Sequence, residues 1–311
     1  MEKTAVIGAG IMGRGIALVY ALHGWSVALH DTSGEALEQA KTLIGTDLTL
    51  LADEGLISAA ECQATLDNIT PTASLKEAVG DAGFITEAVP EQLALKWQIF
   101  SRIEAHAPAT AIIASNTSTL PLSELSRQLA QPERMLITHF FNPAHLVPLV
   151  EIVRAENTPE ETLTTLLNLL RRAGKTPVVL KKEVPGFIAN RLQAAILREA
   201  LHLVESGVAS EQDIDLAVTA GPGFRWSVIG PLETADFGGL DTWQSVMKNL
   251  APELDCTPTT PAVLKEMNRR GELGVKTGQG FYAYPDRQTI ADKIRFRNLA
   301  FIRLLKQHRQ E

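Results

Sequence analysis

Along the first 180 positions, hydrophobic residues fall in short runs separated by longer stretches of helical spacing. Runs rich in β-branched and aliphatic residues occur at 4–7, 26–30, 84–87, 111–115, 134–139, 149–153 and 176–180, and each predicts a strand. Between the first two, residues 11–23 have the apolar content of a buried helix, and Gly24 stands where a helix stops. Residues 33–54 place Leu37, Ala40, Leu43 and Ile44 near helical spacing, and 160–172 predicts a helix between the last two strands. Strand alternating with helix predicts a doubly wound parallel sheet.

From Pro185 the pattern changes. Strand alternation ends, and Ile188, Leu192, Ile196, Ala200, Leu203 and Val204 fall at spacings of one helix face, expected to be buried, with Pro185 in the first turn. The expected fold class is α/β: a Rossmann-type doubly wound parallel sheet with a second, all-helical C-terminal domain. The boundary is expected near residue 183, giving 1–183 and 184–311.

Composition narrows the function classes. A chain of 311 residues can supply two domains with their own cores, and 45% apolar with 21% charged residues indicates neither disorder nor a membrane class. A net charge of -7 without blocks of like charge argues against nucleic-acid binding. The apolar stretch 4–22 is interrupted by four glycines and Arg14 and has no basic leader. It therefore suits neither a signal peptide nor a membrane helix, and a cytoplasmic protein is expected. Cys62 and Cys256 lie far apart, so neither a disulfide framework nor a metal site is expected.

The run Gly8-Ala9-Gly10-Ile11-Met12-Gly13 sits between a predicted strand and a predicted helix. In that context Gly8 permits the turn, Gly10 lets backbone approach a pyrophosphate, Gly13 allows helix to pack on strand, and the helix N-terminus faces the phosphates. Asp31, 18 residues past Gly13, ends the next strand. A carboxylate there binds ribose hydroxyls and repels a 2′-phosphate, and Thr32 and Ser33 offer no arginine, so NAD is preferred to NADP. The bland alternative is that Asp31 merely caps the following helix.

Four further motifs occur in order: Ser115-Asn116-Thr117-Ser118, Thr138-His139-Phe140-Phe141-Asn142-Pro143, Pro148-Leu149-Val150-Glu151, and residues 184–192 from Val184-Pro185-Gly186-Phe187 through Asn190 to Leu192. With the closing Lys276-Thr277-Gly278-Gln279-Gly280-Phe281-Tyr282, they resemble the 3-hydroxyacyl-CoA dehydrogenase family nearly end to end. The resemblance implies hydride transfer from a 3-hydroxyl carbon to NAD. It makes His139 the base, Glu151 its orienting partner, and Ser118 and Asn190 polar stabilisers of the reacting oxygen, in a cleft between domains. It further implies that Glu91, Lys96, Asn116, Asn142 and Lys276 line the nicotinamide and its ribose, and that the chain is a homodimer through its helical domain. Each residue also has a plainer reading. Ser118 could cap a helix beginning near Leu122, Asn190 could sit exposed on its helix, and His145 could be a loop histidine.

In CoA-dependent members of the family, the resemblance implies several lysines on the helical arm after the second strand, facing the coenzyme A phosphates. Here residues 45–54 contain none, and Lys41 is the only nearby cation. The runs Val89-Pro90-Glu91, Val147-Pro148-Leu149-Val150-Glu151 and Gly223-Phe224-Arg225-Trp226 resemble a branch typified by lambda-crystallin and L-gulonate 3-dehydrogenase, with carnitine dehydrogenase more distant. Arg225 is a candidate for gripping a substrate carboxylate, against the alternative of a helix-to-helix salt bridge with Trp226 in the core. The expected substrate is a short free 3-hydroxy acid. The alternatives are an (S)-3-hydroxyacyl-CoA thioester, a lyase or isomerase using NAD without net redox, and a non-catalytic NAD-binding structural protein.

Overall fold

The computed structural model describes residues 3–308. Contacts divide the chain into two compact units, one reaching Ile188 and resuming at Arg295, the other Ala189–Ile294. In the first, strands β1 Lys3–Ile7, β2 Ser26–His30, β3 Ile69–Thr72, β4 Phe84–Glu87, β5 Ile112–Ser115, β6 Met135–Phe140, β7 Leu149–Arg154 and β8 Thr176–Val179 form one sheet. Their order is β3-β2-β1-β4-β5-β6-β7-β8, parallel throughout except that β7 runs antiparallel to β6.

Seven helices cover this sheet: α1 Ile11–Leu22, α2 Gly34–Asp53, α3 Ala59–Asp67, α4 Leu75–Val79, α5 Leu93–His106, α6 Leu122–Leu125 and α7 Glu160–Arg172. Side chains alternate across a strand, so two faces need two cores. Val6, Val27, Leu29, Phe84 and Leu136 pack with α1, α2 and α7 on one face. Ala5, Ile7, Ile85, Ile113 and Ile137 pack with α4, α5 and α6 on the other. Burial on both sides is why the inner strands read as apolar runs, whereas the edge strands β3 and β8 are half-exposed. The expected ends hold closely: Gly24, with φ 78°, follows the end of α1, and Ser33 caps α2 by accepting from Ala36 N at 3.2 Å.

One strand was not anticipated. β3, Ile-Thr-Pro-Thr, is an edge strand, half-exposed and interrupted by Pro71, so it carries neither the apolar run nor the alternation that announces a strand.

The second unit is helical: α8 Ala189–Glu205, α9 Glu211–Ala220, α10 Pro222–Trp226, α11 Pro231–Gly238, α12 Leu240–Leu250 and α13 Ala262–Arg269, followed by the start of α14 Arg287–His308. Two expectations need correction here. Pro185 lies in a turn ahead of α8, not in its first turn. The face expected to be buried is also open: Ile188, Leu192 and Ile196 are exposed, and Leu201 is the one buried residue of α8. The helical spacing is real, but the stripe is covered only toward its end, where Ala200, Leu203 and Val204 are half-buried.

The latter part of α14 belongs to the first unit, a return that the hydrophobic pattern does not announce. There Ile302, fully buried, packs with Leu50, Leu51 and Leu146. Ile302→Ala is expected to cost about 2–4 kcal/mol by opening a cavity, measured by urea unfolding of the whole chain.

Candidate active site

The turn between β1 and α1 is built by its glycines. Gly8 has φ 105°, and its N–H donates to His30 O at 2.8 Å; a Cβ there would stand 2.6 Å from Ala88 O. A Cβ on Gly13 would come within 1.7 Å of Gly8 O, so this glycine is what lets the helix lie on the turn. Gly10 differs, because a Cβ there would meet nothing within 4 Å. The Gly10 side is open. No side chain caps the first turn of α1 and no acidic residue occupies it. Ile11 is exposed and Met12 half-buried beside these amides. Uncapped amides, a positive helix end and open space form a cradle for a phosphate pair.

Asp31, at the end of β2, accepts from Ala9 N at 2.9 Å through Oδ2 and from Ser33 N at 3.0 Å through Oδ1. The helix cap is Ser33. Asp31 instead ties the glycine turn to the second strand, half-buried beside the cradle, with carboxylate lone pairs suited to ribose hydroxyls. The donors and the shape fit a dinucleotide.

Along the sheet, the ends of β4 and β5 carry a polar network. Glu87 is wholly buried; Oε1 accepts from Lys96 Nζ at 2.7 Å and Val89 N at 2.7 Å, and Oε2 from Ser115 Oγ at 2.6 Å. Glu91 Oε2 lies 3.2 Å from Lys96 Nζ, while Oε1 accepts from Thr117 Oγ1, from Thr119 Oγ1 at 3.0 Å and from Ser118 N at 3.3 Å. Partial burial pushes the Glu91 carboxyl up, but the Thr117 hydrogen bond and the Lys96 charge outweigh it and hold it below the usual range. Burial pushes Glu87 up, opposed by the adjacent Lys96. Of these residues the sequence singled out Glu91, Lys96 and Ser118. It missed Glu87, although a carboxylate closing a run of buried strand residues is a signal, since such a group needs partners.

His139 and Glu151 face each other as a register pair between β6 and β7. His139 Nδ1 is 2.9 Å from Glu151 Oε2; the imidazole is 7% exposed and the carboxylate 1%. A carboxylate only accepts, so the ring's hydrogen sits on Nδ1 and leaves Nε2 as the acceptor. Glu151 Oε1 accepts from Ile188 N at 2.8 Å. That amide is presented by a left-handed turn at Gly186, φ 77°, and Phe187, φ 54°. Phe187 is the one non-glycine residue with positive φ among those described, a conformation costing roughly 1–2 kcal/mol. It is held there by burial: its ring centroid is 5.5 Å from that of His139, and Phe141 packs on the imidazole at 4.5 Å.

Asn116 Oδ1 accepts from Phe140 N at 2.9 Å, joining the loop after β5 to β6 one residue past His139. Asn142 is exposed in the loop after β6. Ser118 caps nothing: α6 starts after Pro121, and its first amide, Leu122 N, donates to Glu183. His145 is a loop histidine with its side chain 4% exposed, 3.9 Å from Asp47. Burial, partly countered by Asp47, lowers its pKa to about 4. In the second unit, Asn190 is half-buried in the first turn of α8, while Lys276 and Arg225 are exposed. Trp226, beside Arg225, is itself exposed at 38%, against the reading that places it in a core.

The model of the 3-hydroxyacyl-CoA dehydrogenase NAD-binding domain matches residues 3–184, and that of the same family's C-terminal domain matches 186–284. A 5-formyl-3-hydroxy-2-methylpyridine 4-carboxylate 5-dehydrogenase of Mesorhizobium japonicum is 34% identical over 311 residues, 100% of both chains. A crystal structure of a 5-dehydrogenase of that pyridine acid, described as an NAD+-dependent dismutase, superposes with TM-score 0.91 at 33% identity, covering 98% of each chain. An L-carnitine dehydrogenase of Streptomyces coelicolor is 36% identical over 307 residues, 98% of this chain and 94% of its own. The (S)-3-hydroxybutyryl-CoA dehydrogenase PaaH1 of Ralstonia eutropha superposes with TM-score 0.75 at 32% identity, covering 92% of this chain and 100% of its own. The chain belongs to the 3-hydroxyacyl-CoA dehydrogenase family and is an NAD-dependent dehydrogenase acting on a hydroxyl group.

The two glycines should separate on substitution. Gly10→Val is expected to fold normally and lose NAD binding, whereas Gly13→Ala is expected to lose stability, by about 1–3 kcal/mol. Calorimetric NAD titration and urea unfolding of both variants check this. Glu151→Ala leaves the buried His139 Nδ1–H and the part-buried Ile188 N–H without their acceptor and is expected to cost about 2–4 kcal/mol in the same unfolding assay.

Proposed function

With membership of that family as the premise, we propose that this chain oxidises the 3-hydroxyl of a short free 3-hydroxy acid and passes the hydride to NAD. The observation that carries the chemistry is the buried His139–Glu151 pair, 2.9 Å between Nδ1 and Oε2. With Nδ1–H committed to the carboxylate, Nε2 takes the hydroxyl proton as the carbon loses hydride. Glu151 then faces an imidazolium and offsets its charge, the orienting part a carboxylate plays in a Ser-His-Asp triad. NAD supplies the hydride acceptor. Gly8, Gly10, Ile11, Met12 and Gly13 hold its phosphates, Asp31 its adenosine ribose, and Glu91, Lys96, Asn116, Asn142 and Lys276 its nicotinamide end. Ser118 and Asn190 hydrogen-bond the reacting oxygen, and Arg225 pairs with the substrate carboxylate.

The free acid is preferred to a thioester because of the α2 arm. Lys41 is the sole cation of α2, and the only charged positions beyond it in the helix, Asp47 and Asp53, are acidic. Asp47 is held by Arg14 at 2.6 Å and Glu54 by Lys306 at 3.3 Å, so the nearby cations are already engaged by carboxylates. A polyanionic carrier meets no surplus positive charge there. Two of the relatives named above also bear names of free acids, a pyridine carboxylate and carnitine.

The second unit exposes Phe224, Val228, Leu232 and Phe237, each more than 70% accessible. Apolar area of that kind marks an interface, and a second copy of the chain is its occupant. No helix among the described residues is long and apolar enough to cross a membrane.

NADH formation is expected with free 3-hydroxy acids, L-gulonate and 3-hydroxybutyrate among them, and not with 3-hydroxybutyryl-CoA. His139→Ala is expected to lower kcat by about a hundredfold to ten-thousandfold with NAD affinity retained. Turnover of the thioester alone overturns the free-acid assignment, and full activity of His139→Ala overturns the base. Light scattering of the purified protein is expected to give the mass of a dimer, and a monomer would contradict the interface.

A further inference from the structure

Lys96 and Glu87 are both essentially removed from water, at 1% and 0% exposure. A buried ion pair is a poor way to stabilise a fold, because an apolar pair of similar volume does at least as well. This pair is also fully engaged: Glu87 spends its two oxygens on Lys96 Nζ, Val89 N and Ser115 Oγ, linking β4 to α5 and to the end of β5. Lys96 in turn stands 3.2 Å from Glu91, whose side chain is 37% exposed and which holds the 117–119 loop through Thr117, Ser118 N and Thr119. The chain of contacts therefore runs from the sheet interior to an accessible carboxylate.

We propose that Glu87 is a positioning residue for the cofactor pocket: its carboxylate anchors the Lys96 ammonium, and through it Glu91, in the geometry that receives the nicotinamide ribose. This rests on the reading of Lys96 and Glu91 as residues lining that ribose. The charged groups against Lys96 Nζ are Glu87 from β4 and Glu91 from the loop before α5. Without Glu87 the ammonium is buried with one partly exposed counterion, and desolvation drives it toward the neutral amine.

The test is calorimetric NAD titration of whole-chain Glu87→Gln and Lys96→Met against the parent, over roughly pH 6.5 to 9. Glu87→Gln is expected to weaken NAD binding by about tenfold, as loss of a group that orients a binding residue does. Its affinity is expected to fall more steeply with rising pH than the parent's, a dependence that Lys96→Met lacks. KM for NAD rises while kcat at saturating NAD changes less. Should Glu87→Gln not fold, Glu87→Gln/Lys96→Met removes the pair without leaving a lone charge and is expected to bind NAD as weakly as Lys96→Met. Parent-like affinity and pH profile in Glu87→Gln, with Lys96→Met impaired, overturns the role of Glu87 and leaves the ribose reading standing. Parent-like affinity in Lys96→Met, or in the double variant, overturns both.

Discussion

The structure turns on one contact made across the only antiparallel junction of the sheet. β6 and β7 run in opposite directions, which sets His139 and Glu151 directly opposite each other. On an antiparallel pair such neighbours stand about 4.5–5.5 Å apart at Cβ, close enough for an imidazole to reach a carboxylate. Taking the carboxylate out of water costs several kcal/mol unless each oxygen is bonded. One oxygen meets His139 and the other the amide of Ile188. That second bond requires the left-handed turn at Gly186 and Phe187, and the buried Phe187 ring closes over the imidazole. Strain, burial and hydrogen bonding are thus parts of one arrangement that fixes the ring and leaves Nε2 to accept.

The remaining site residues of the first unit gather where a doubly wound sheet leaves room. Strand order reverses between β1 and β4, and the carboxyl ends of the strands there carry Gly8, Glu87, Ser115 and His139 in close succession. The would-be Cβ of Gly8, 2.6 Å from Ala88 O, shows how tightly the turn after β1 abuts the end of β4. The glycine turn on one side of this crevice and the Glu87–Lys96–Glu91 network on the other follow from the same topology. His139 stands two strands away from β4, near the end of β6.

Much of this was legible in the sequence, for identifiable reasons. The six inner strands announce themselves because burial on both faces makes them apolar runs; of the two edge strands, β8 is legible only through Val178, Val179 and Leu180, and β3 is not, because an edge strand needs no such run and tolerates Pro71. The glycine turn is readable because each glycine answers a distinct steric demand. His139 and Glu151 are legible from ordered motifs and not from spacing, since a separation of 12 positions gives no hint that a hairpin-like reversal pairs them. Glu87 does not stand out in the sequence because it ends a run that otherwise looks like plain core. The spacing of α8 predicts a buried stripe because helical periodicity reports that a face is apolar, not what covers it. The return of α14 to the first unit rests on Ile302 and its neighbours, a long-range contact that no local pattern encodes.

The tautomer of His139 tests the account most directly. A long-range proton–nitrogen correlation spectrum of histidine-labelled protein at about pH 8, assigned by comparison with His139→Gln, distinguishes a ring nitrogen that carries hydrogen from one that does not. The account predicts hydrogen on Nδ1, bonded to Glu151, and a bare Nε2. Hydrogen on Nε2 with a bare Nδ1 would contradict it, because the ring's one acceptor nitrogen would then be the one that faces Glu151.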